Sequence, residues 1–463
     1  MNNRASDYIL RVIGAMNGVR PYKWLPKLEA MQWYSSTQMA EWQGKELKCI
    51  LHHAVDTVPY YRKSLASFKP SFESEGVQCL SRLPVLLKSQ VRDEFEELRS
   101  TEPTVQRMQD ITTSGSTGRP LHIRVDNEAF GRYFAAKLRG LRWYGVNFAD
   151  RQLRVWGLAF AGNKRLYWKI RDRLQNRMRL VSFDLSSEKL DAFWPMLERF
   201  KPTYINGYTS AVQRLADYIE KSGKNGLCLN VKLVVPTAEM LYDWQREQME
   251  RVFGCPVMNE YGGCEIQAIA YACPSGTMHI THENMIVEVL DEDGLQVPDG
   301  TEGLLTITSL AARGMPMIRY QNGDVVIRRS GVHCPCGRHP GLPVLERIVG
   351  RSSDLLLRAD GEPTHWTTMY YAIKDAFVPG MIIEHQAIQK ALDRIEILVV
   401  KGPAYSDTAM GKFLARMKQV LGARMQIDLV FVNEIPREKS GKHRYFVSEI
   451  GSAHQNESTC NNR

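Results

Sequence analysis

The stretch richest in groups that can do chemistry is Thr112-Thr113-Ser114-Gly115-Ser116-Thr117-Gly118-Arg119-Pro120, a hydroxyl-rich glycine loop. Glycines let a backbone turn tightly and bring its N–H groups against phosphate oxygens. The hydroxyls of Thr113, Ser114, Ser116 and Thr117 add donors that can follow a polyphosphate as it bends. No Gly-Lys-Ser/Thr closes the loop, so it is not a Walker phosphate loop, and alone it also reads as an ordinary turn. A second constellation is Cys273, His279, Cys334 and Cys336. A Cys-x5-His pair and a Cys-x-Cys pair supply the four ligands of a closed structural zinc site. Neither spacing is that of a standard finger; buried free cysteines and a surface histidine give the same pattern, and His333 or His339 can substitute as ligand.

The loop is followed, in fixed order, by four further motifs. Asn259-Glu260-Tyr261-Gly262-Gly263-Cys264-Glu265 comes first, then Arg319-Tyr320-Gln321-Asn322-Gly323-Asp324. Gly350-Arg351-Ser352-Ser353-Asp354 and Pro436-Arg437-Glu438-Lys439-Ser440-Gly441-Lys442 complete the set. Together they resemble the adenylate-forming superfamily of acyl-CoA ligases and peptide-synthetase adenylation domains. Within it the chain looks like the phenylacetate-CoA ligase branch, and especially the CapK-like proteins associated with polysaccharide biosynthesis. Val58-Pro59-Tyr60-Tyr61-Arg62 and Asn206-Gly207-Tyr208-Thr209-Ser210 add to the likeness, which runs over roughly residues 25 to 450. Similar Cys/His pairs occur at these places in the phenylacetate-like branch, which implies a structural zinc at Cys273, His279, Cys334 and Cys336.

The resemblance implies a reaction. A carboxylate is a poor electrophile; joining it to AMP supplies a good leaving group, and the protein's part is positioning and electrostatics. By the resemblance, Thr113, Ser114, Gly115, Ser116, Thr117 and Gly118 cradle the β- and γ-phosphates of ATP, with Thr117 counted among the catalytic groups. Tyr261 stacks on adenine, and Asn259, Glu260, Gly262 and the Thr237-Ala238-Glu239 segment line the nucleotide. Glu265 holds Mg²⁺, a hard cation that takes carboxylate oxygen. Asp324 accepts the ribose hydroxyls with Arg351 nearby. Lys442 bridges the acid and the α-phosphate, a task suited to a compact cation on a long stem. Trp156, Gly207, Tyr208 and Gly263 line the acid pocket, whose aromatic rings favour a flat apolar acid over a charged one. Asp354 is the hinge between two orientations of a small domain. Two departures stand out. The superfamily usually has Thr before the glutamate, where Cys264 loses a hydroxyl donor; and Leu121, not Lys, follows Pro120.

Several acceptors fit this chemistry. Coenzyme A is the commonest in the family. An amine or a sugar hydroxyl in surface-polysaccharide biosynthesis is the alternative, and nucleotidyl transfer and a catalytically silent nucleotide-binding relative are the others.

These residues need elements to hold them. At 463 residues the chain calls for two or three domains. Apolar runs such as Leu153 to Trp156 and Val231 to Val235 alternate with helical periodicity over Ala211 to Ser222 and Leu241 to Phe253, which predicts an α/β sheet. Helical spacing also marks Thr37 to His53 and Lys88 to Leu98, and short strands with Asp-Gly turns mark Ile286 to Ile327 as more antiparallel. After Asp354 the pattern resets: strands at Ile382 to Gln386, Arg394 to Val400 and Ile427 to Val432, helices at Thr368 to Phe377 and Tyr405 to Leu421. The expected fold is therefore α/β, with a large N-terminal adenylation domain over residues 1–350 and a hinge at 351–354. A small mobile α+β lid over 355–451 carries the Lys442 loop, and 452–463 is a disordered tail.

Composition narrows the setting. No apolar run is long enough to span a membrane, no signal-like design opens the chain, and nine cysteines, odd in number and several isolated in apolar or motif contexts, argue against a secreted disulfide scaffold. These point to the cytoplasm. Of the net charge of +9, residues 111–190 alone hold 16 Lys/Arg against 6 Asp/Glu. Within them residues 164–179 read as an amphipathic basic helix, with Leu166, Ile170, Leu174 and Met178 every fourth position. Either this helix packs by its apolar stripe, or it docks on an anionic membrane at the inner face of the cell. No nucleic-acid motif accompanies it.

Overall fold

The computed structural model describes residues 3–105, 107–112, 121–157, 163–182, 185–351, 355–358, 363–365, 381–422, 424–437 and 442–450. The chain forms two compact units, one of residues 1–322 with 326–348, the other of 323–325 with 349–463. The expected Thr368 to Phe377 helix and the 452–463 tail lie outside the described residues.

The first unit opens on helices. Ser36–Thr57 begins with a capping box: Gln38 N donates to Ser35 Oγ and Ser35 N to Gln38 Oε1, which satisfies two of the orphan donors at the helix start. The Lys88 to Leu98 prediction was too long. The helix spans Lys88–Asp93 and gives way to turns, where Asp93, Glu94, Glu96 and Glu97 place like charges one helical turn apart.

A large mixed sheet organises the unit. At one side, Arg177–Val181, Gln152–Trp156, Tyr204–Tyr208, Leu233–Thr237 and Glu260–Tyr261 run parallel in that order. Beyond them the strands turn antiparallel, as in the pairing of Met285–Leu290 with Glu302–Ser309. One face of the parallel region (Leu153, Val155, Ile205, Val234) packs on the helices Ser187–Phe200, Thr209–Lys221 and Asp243–Phe253 through Leu197, Val212, Leu215, Met249 and Phe253. On the opposite face the central strands give Tyr204, Leu233 and Val235 to a second core, shared with the Asn127–Arg142 helix. Burial on both faces is why these strands read as continuous apolar runs.

The predicted basic helix over 164–179 is corrected by the structure. The helix is Asn163–Leu174; Asn176 takes a left-handed φ of 50° that ends it, and Arg177–Val181 is a strand. Nor does the apolar stripe of the helix pack: Leu166 is 65% and Ile170 54% exposed.

In the second unit Ile382–Ala391 pairs antiparallel with Arg394–Lys401, which is flanked in parallel by Gln426–Phe431. The Asp407–Leu421 helix, capped by Ser406 Oγ on Ala409 N, packs Met410, Phe413 and Met417 over Ile395, Ile397 and Val399. The result is the smaller α+β body that the sequence pattern predicts. Among the described residues no helix is long and apolar enough to cross a membrane.

Candidate active site

Parallel strands aligned in register set their side chains in rows. At the carboxyl ends one row runs Val181, Trp156, Tyr208, Thr237, Glu260; the row beneath runs Arg179, Arg154, Asn206, Val235. Ligands of open α/β sheets bind outside such carboxyl ends. The Trp156 and Tyr208 rings lie with centroids 4.2 Å apart. Burial, then the Glu239 carboxylate, pushes the Tyr208 phenol up to about 12; Arg154 and Cys264 also lie within electrostatic reach of it. Gly207 is required by its neighbours, since a Cβ there would sit 2.5 Å from the Val155 carbonyl oxygen. Of the pocket segment after Trp156, residues 158–160 lie outside the described residues.

The next strand ends in strain. Ala238 has a φ of 67°, a left-handed conformation that a non-glycine residue adopts at a cost. Glu239 fastens the turn: its carboxylate accepts from Ser210 N (2.7 Å) and Ser210 Oγ (3.1 Å). These contacts cap the Thr209–Lys221 helix with negative charge at its positive end. Glu260 is held in turn by Lys137, whose Nζ lies 2.8 Å from Oε2, and by Thr237 Oγ1, 3.2 Å from Oε1. Half-buried Asn259 and Tyr261 flank it, and the Asn259 carbonyl accepts from Ala272 N.

Behind Tyr261 the chain folds tightly back. A Cβ on Gly262 would lie 2.0 Å from the Gln267 carbonyl oxygen, and one on Gly263 would lie 2.8 Å from Glu265 Oε2. Gly263 N donates to the Ile266 carbonyl at 3.1 Å, which presents the Glu265 side chain beside the turn. Glu265 Oε1 has Lys88 Nζ at 3.5 Å and accepts from the Tyr320 hydroxyl at 3.4 Å. Its carboxylate keeps about a tenth of its surface exposed, a hard oxygen donor of the kind Mg²⁺ takes. Cys264 is exposed.

The second unit carries the remaining candidates. Arg351 Nε lies 3.5 Å from Asp324 Oδ1. Gly350, next to Arg351 in the Val344–Arg351 strand, has a φ of 147°, favoured by glycine. Lys442 is half-buried, and the next residue anchors it: His443 Nε2 donates to the His385 carbonyl at 2.9 Å. The residues expected to form a phosphate loop, Thr113, Ser114, Gly115, Ser116, Thr117 and Gly118, and the expected hinge residue Asp354 lie outside the described residues.

The Cys/His constellation comes together. Antiparallel pairing of Met278–Ile280 with Ala270–Ala272 and Val344–Arg351 brings Cys273, His279, Cys334 and Cys336 side by side, all four ligand atoms within 4.8 Å of one another. Cys273 Sγ is 3.5 Å from Cys334 Sγ, and Cys336 Sγ is 3.2 Å from His279 Nε2. Burial pushes the Cys273 thiol up to about 11 and the His279 imidazole down to about 4. Three sulfurs and one imidazole that burial keeps neutral, gathered within 4.8 Å, are a donor set that suits zinc, which takes such ligands at about 2.0–2.3 Å. Of the two alternative ligands, His333 is exposed, and His339 is buried with its ring 5.5 Å from that of His279.

Sequence reading missed Lys88, Lys137 and Arg154. Each is a single cation outside the motifs: the fold sets Lys88 beside Glu265 and Lys137 beside Glu260, both more than 100 positions away, and Arg154 beside Trp156 on its own strand. For Arg154 a signal existed: alternation with Trp156 puts it on the pocket face of a strand.

Comparison with known proteins follows the geometry. Residues 40–312 match the family model for the AMP-binding enzyme, and residues 356–449 match that for the CapK C-terminal domain. Protein CapK of Staphylococcus aureus is 23% identical over 414 residues, 89% of either chain. Phenylacetate-coenzyme A ligase of Thermus thermophilus is 24% identical over 432 residues, 87% of this chain and 94% of that one. Among solved structures, 2-hydroxyisobutyryl-CoA ligase in the postadenylation state with R3-HIB-AMP has the same fold. The TM-score is 0.72 at 18% identity, over 93% of each chain.

Proposed function

The chain belongs to the AMP-binding enzyme family, and from that premise we propose that it activates a carboxylic acid with ATP and Mg²⁺ and passes the acyl group to coenzyme A. One acid carboxylate oxygen attacks the α-phosphorus, the bond to pyrophosphate breaks, and an acyl-adenylate remains. The acceptor thiol then attacks the acyl carbon and AMP leaves. The observation that supports this reading most is the row Trp156, Tyr208, Thr237, Glu260 on four adjacent parallel strands, with Glu265 close behind in the chain.

Each residue then has a task. The Trp156–Tyr208 pair packs against the acid and excludes water. The Ala238 turn and Tyr261 receive the nucleotide base, with Glu260 fixed by Lys137 so that the Tyr261 backbone stays in place. Glu265 holds Mg²⁺, which screens the phosphate charge when bound. Asp324 takes the ribose hydroxyls, and Lys442 stabilises the charge that develops between acid and α-phosphate. Cys273, His279, Cys334 and Cys336 hold one structural zinc that ties the Cys334–Cys336 turn to the sheet.

A second reading keeps adenylation but makes the acceptor an amine or hydroxyl of a surface-polysaccharide precursor. One observation favours it. Leu166 and Ile170 stand exposed on the Asn163–Leu174 helix beside exposed Lys169 and Arg173, a face suited to the interface of an anionic membrane. Both readings put the chain in the cytoplasm, the second at the inner membrane face.

The test is pyrophosphate release over a panel of acids, with and without coenzyme A. Acid-dependent release with thioester product supports the first reading. Acid-dependent release indifferent to coenzyme A supports the second, and no acid-dependent release contradicts both.

A further inference from the structure

Beneath the Trp156–Tyr208 pair the sheet carries an excess of positive charge. Arg154, Arg177 and Arg179 share one face of adjacent strands, and Arg171 joins them from the Asn163–Leu174 helix. Among the described residues, Asp172 is the carboxylate that meets this group of four guanidiniums. Asp172 binds Arg179 through both oxygens (2.9 and 3.0 Å) and lies 3.7 Å from Arg177. Arg177 also donates to Gln152 at 2.5 Å, and Arg171 lies over the Trp168 ring at 4.8 Å.

Arg154 is left over. Its guanidinium makes no hydrogen bond or ion pair among the described residues, and its buried Nε has no partner. It lies 4.8 Å from the centre of the Trp156 ring, at the floor of the aromatic pair. Burial, reinforced by Arg177 and Arg179, lowers its affinity for its proton to about 10. A largely buried cation repelled by two neighbours destabilises the free protein unless an anion answers it. A guanidinium is the side chain best shaped to grip a planar or tetrahedral oxyanion.

We propose that Arg154, backed by Arg177 and Arg179, binds a second anionic group on the carboxylic acid substrate. The acid is then one that bears a carboxylate, phosphate or sulfonate at the end remote from the carboxyl that is adenylated. This rests on the reading that Trp156 and Tyr208 line the acid pocket, and it replaces the apolar acid that two aromatic rings alone predict.

The experiment compares benzoate and phenylacetate with their para-sulfonated and para-carboxylated forms, in wild-type protein and in Arg154→Met. Methionine keeps the packing over Trp156 and removes the charge. Two readouts are used: acid-dependent pyrophosphate release, and calorimetric binding of each acid without ATP. The proposal expects wild type to favour the anionic members by about ten- to hundredfold, the scale of a charged hydrogen bond, with that ratio collapsing in Arg154→Met. It also expects Arg154→Met to unfold at or above the wild-type temperature when no anion is present, which shows that the variant folds.

Neutral acids turned over as well as anionic ones, or a ratio unmoved by Arg154→Met, overturn the proposal and leave the ligase reading intact. Arg154-dependent binding of the anionic acids without pyrophosphate release upholds the anion site and sinks the ligase reading. Inorganic phosphate binding through Arg154 as tightly as the anionic acids overturns the assignment to substrate. Absence of both binding and release overturns the proposal.

Discussion

The Lys137 ammonium lies 2.8 Å from the Glu260 carboxylate, which ties the Asn127–Arg142 helix to the short strand that carries Tyr261. The pair is half-hidden, with 21% and 11% of the two side chains exposed, so each charge depends on the other more than a surface pair does. On the proposed function, which gives Tyr261 the nucleotide base, the pair is a positioning device.

Lys137→Met should therefore leave the Glu260 carboxylate with its hydrogen bond from Thr237 Oγ1. We expect a loss of about 1–2 kcal/mol in unfolding free energy and a KM for ATP raised about tenfold, with kcat changed far less. Lys137→Arg should recover most of both. Steady-state kinetics with varied ATP, alongside urea unfolding, checks this; a fall in kcat at unchanged KM would mean that the pair acts elsewhere.

Two glycines should respond in opposite directions. Gly262→Ala forces a Cβ to within 2.0 Å of the Gln267 carbonyl, and the backbone has to move. A stability loss of about 2–3 kcal/mol and weakened ATP binding are expected. Gly44, inside the Ser36–Thr57 helix with nothing within 4 Å, should gain about 0.5–1 kcal/mol as alanine. Chemical denaturation of both variants reads the contrast directly.

The zinc assignment predicts about one zinc per chain after purification without chelators. Cys336→Ser should lose the metal and lower the thermal midpoint, while Cys228→Ser, at an exposed cysteine away from the cluster, should change neither. Elemental analysis decides it, and a metal-free wild type of unchanged stability would remove the zinc.

Acid should weaken the protein through buried His385. Burial holds this imidazole neutral down to about 4, below its ordinary 6.5, so the unfolded chain binds its proton first as pH falls. The stability this group contributes is whole above pH 6.5 and falls through the window from 6.5 to 4, by roughly 3 kcal/mol. His385→Phe should flatten that slope. Unfolding free energies of the two proteins at four or five pH values check it; parallel curves would show that His385 does not titrate in this way.

Much of this frame was legible in the sequence, and the misses have causes. The strands at 153–156 and 233–237 were readable because apolar residues buried on both faces leave an unbroken run. The 164–179 segment was misread because Leu174 and Met178 keep the four-residue spacing of Leu166 and Ile170 across the Asn176 turn. That spacing hid Arg177 and Arg179, which belong to the sheet. Cys273 and His279 announce themselves as one pair and Cys334 and Cys336 as another, but only antiparallel strand pairing joins the two. Lys88 and Lys137 carry no local signal of their partners, because a long-range contact leaves no trace in spacing. Nor does spacing announce that the Glu239 carboxylate caps the Thr209–Lys221 helix, a contact set by a neighbour 29 residues away.

The central claim is that the acid's own carboxylate oxygen attacks the α-phosphorus. With an acid that supports turnover, labelled with ¹⁸O in its carboxyl group, mass spectrometry of the nucleotide product after acyl transfer tests that claim most directly. The account predicts one ¹⁸O atom in AMP and none in the released pyrophosphate. Unlabelled AMP, or label appearing in inorganic phosphate beside ADP, would contradict it.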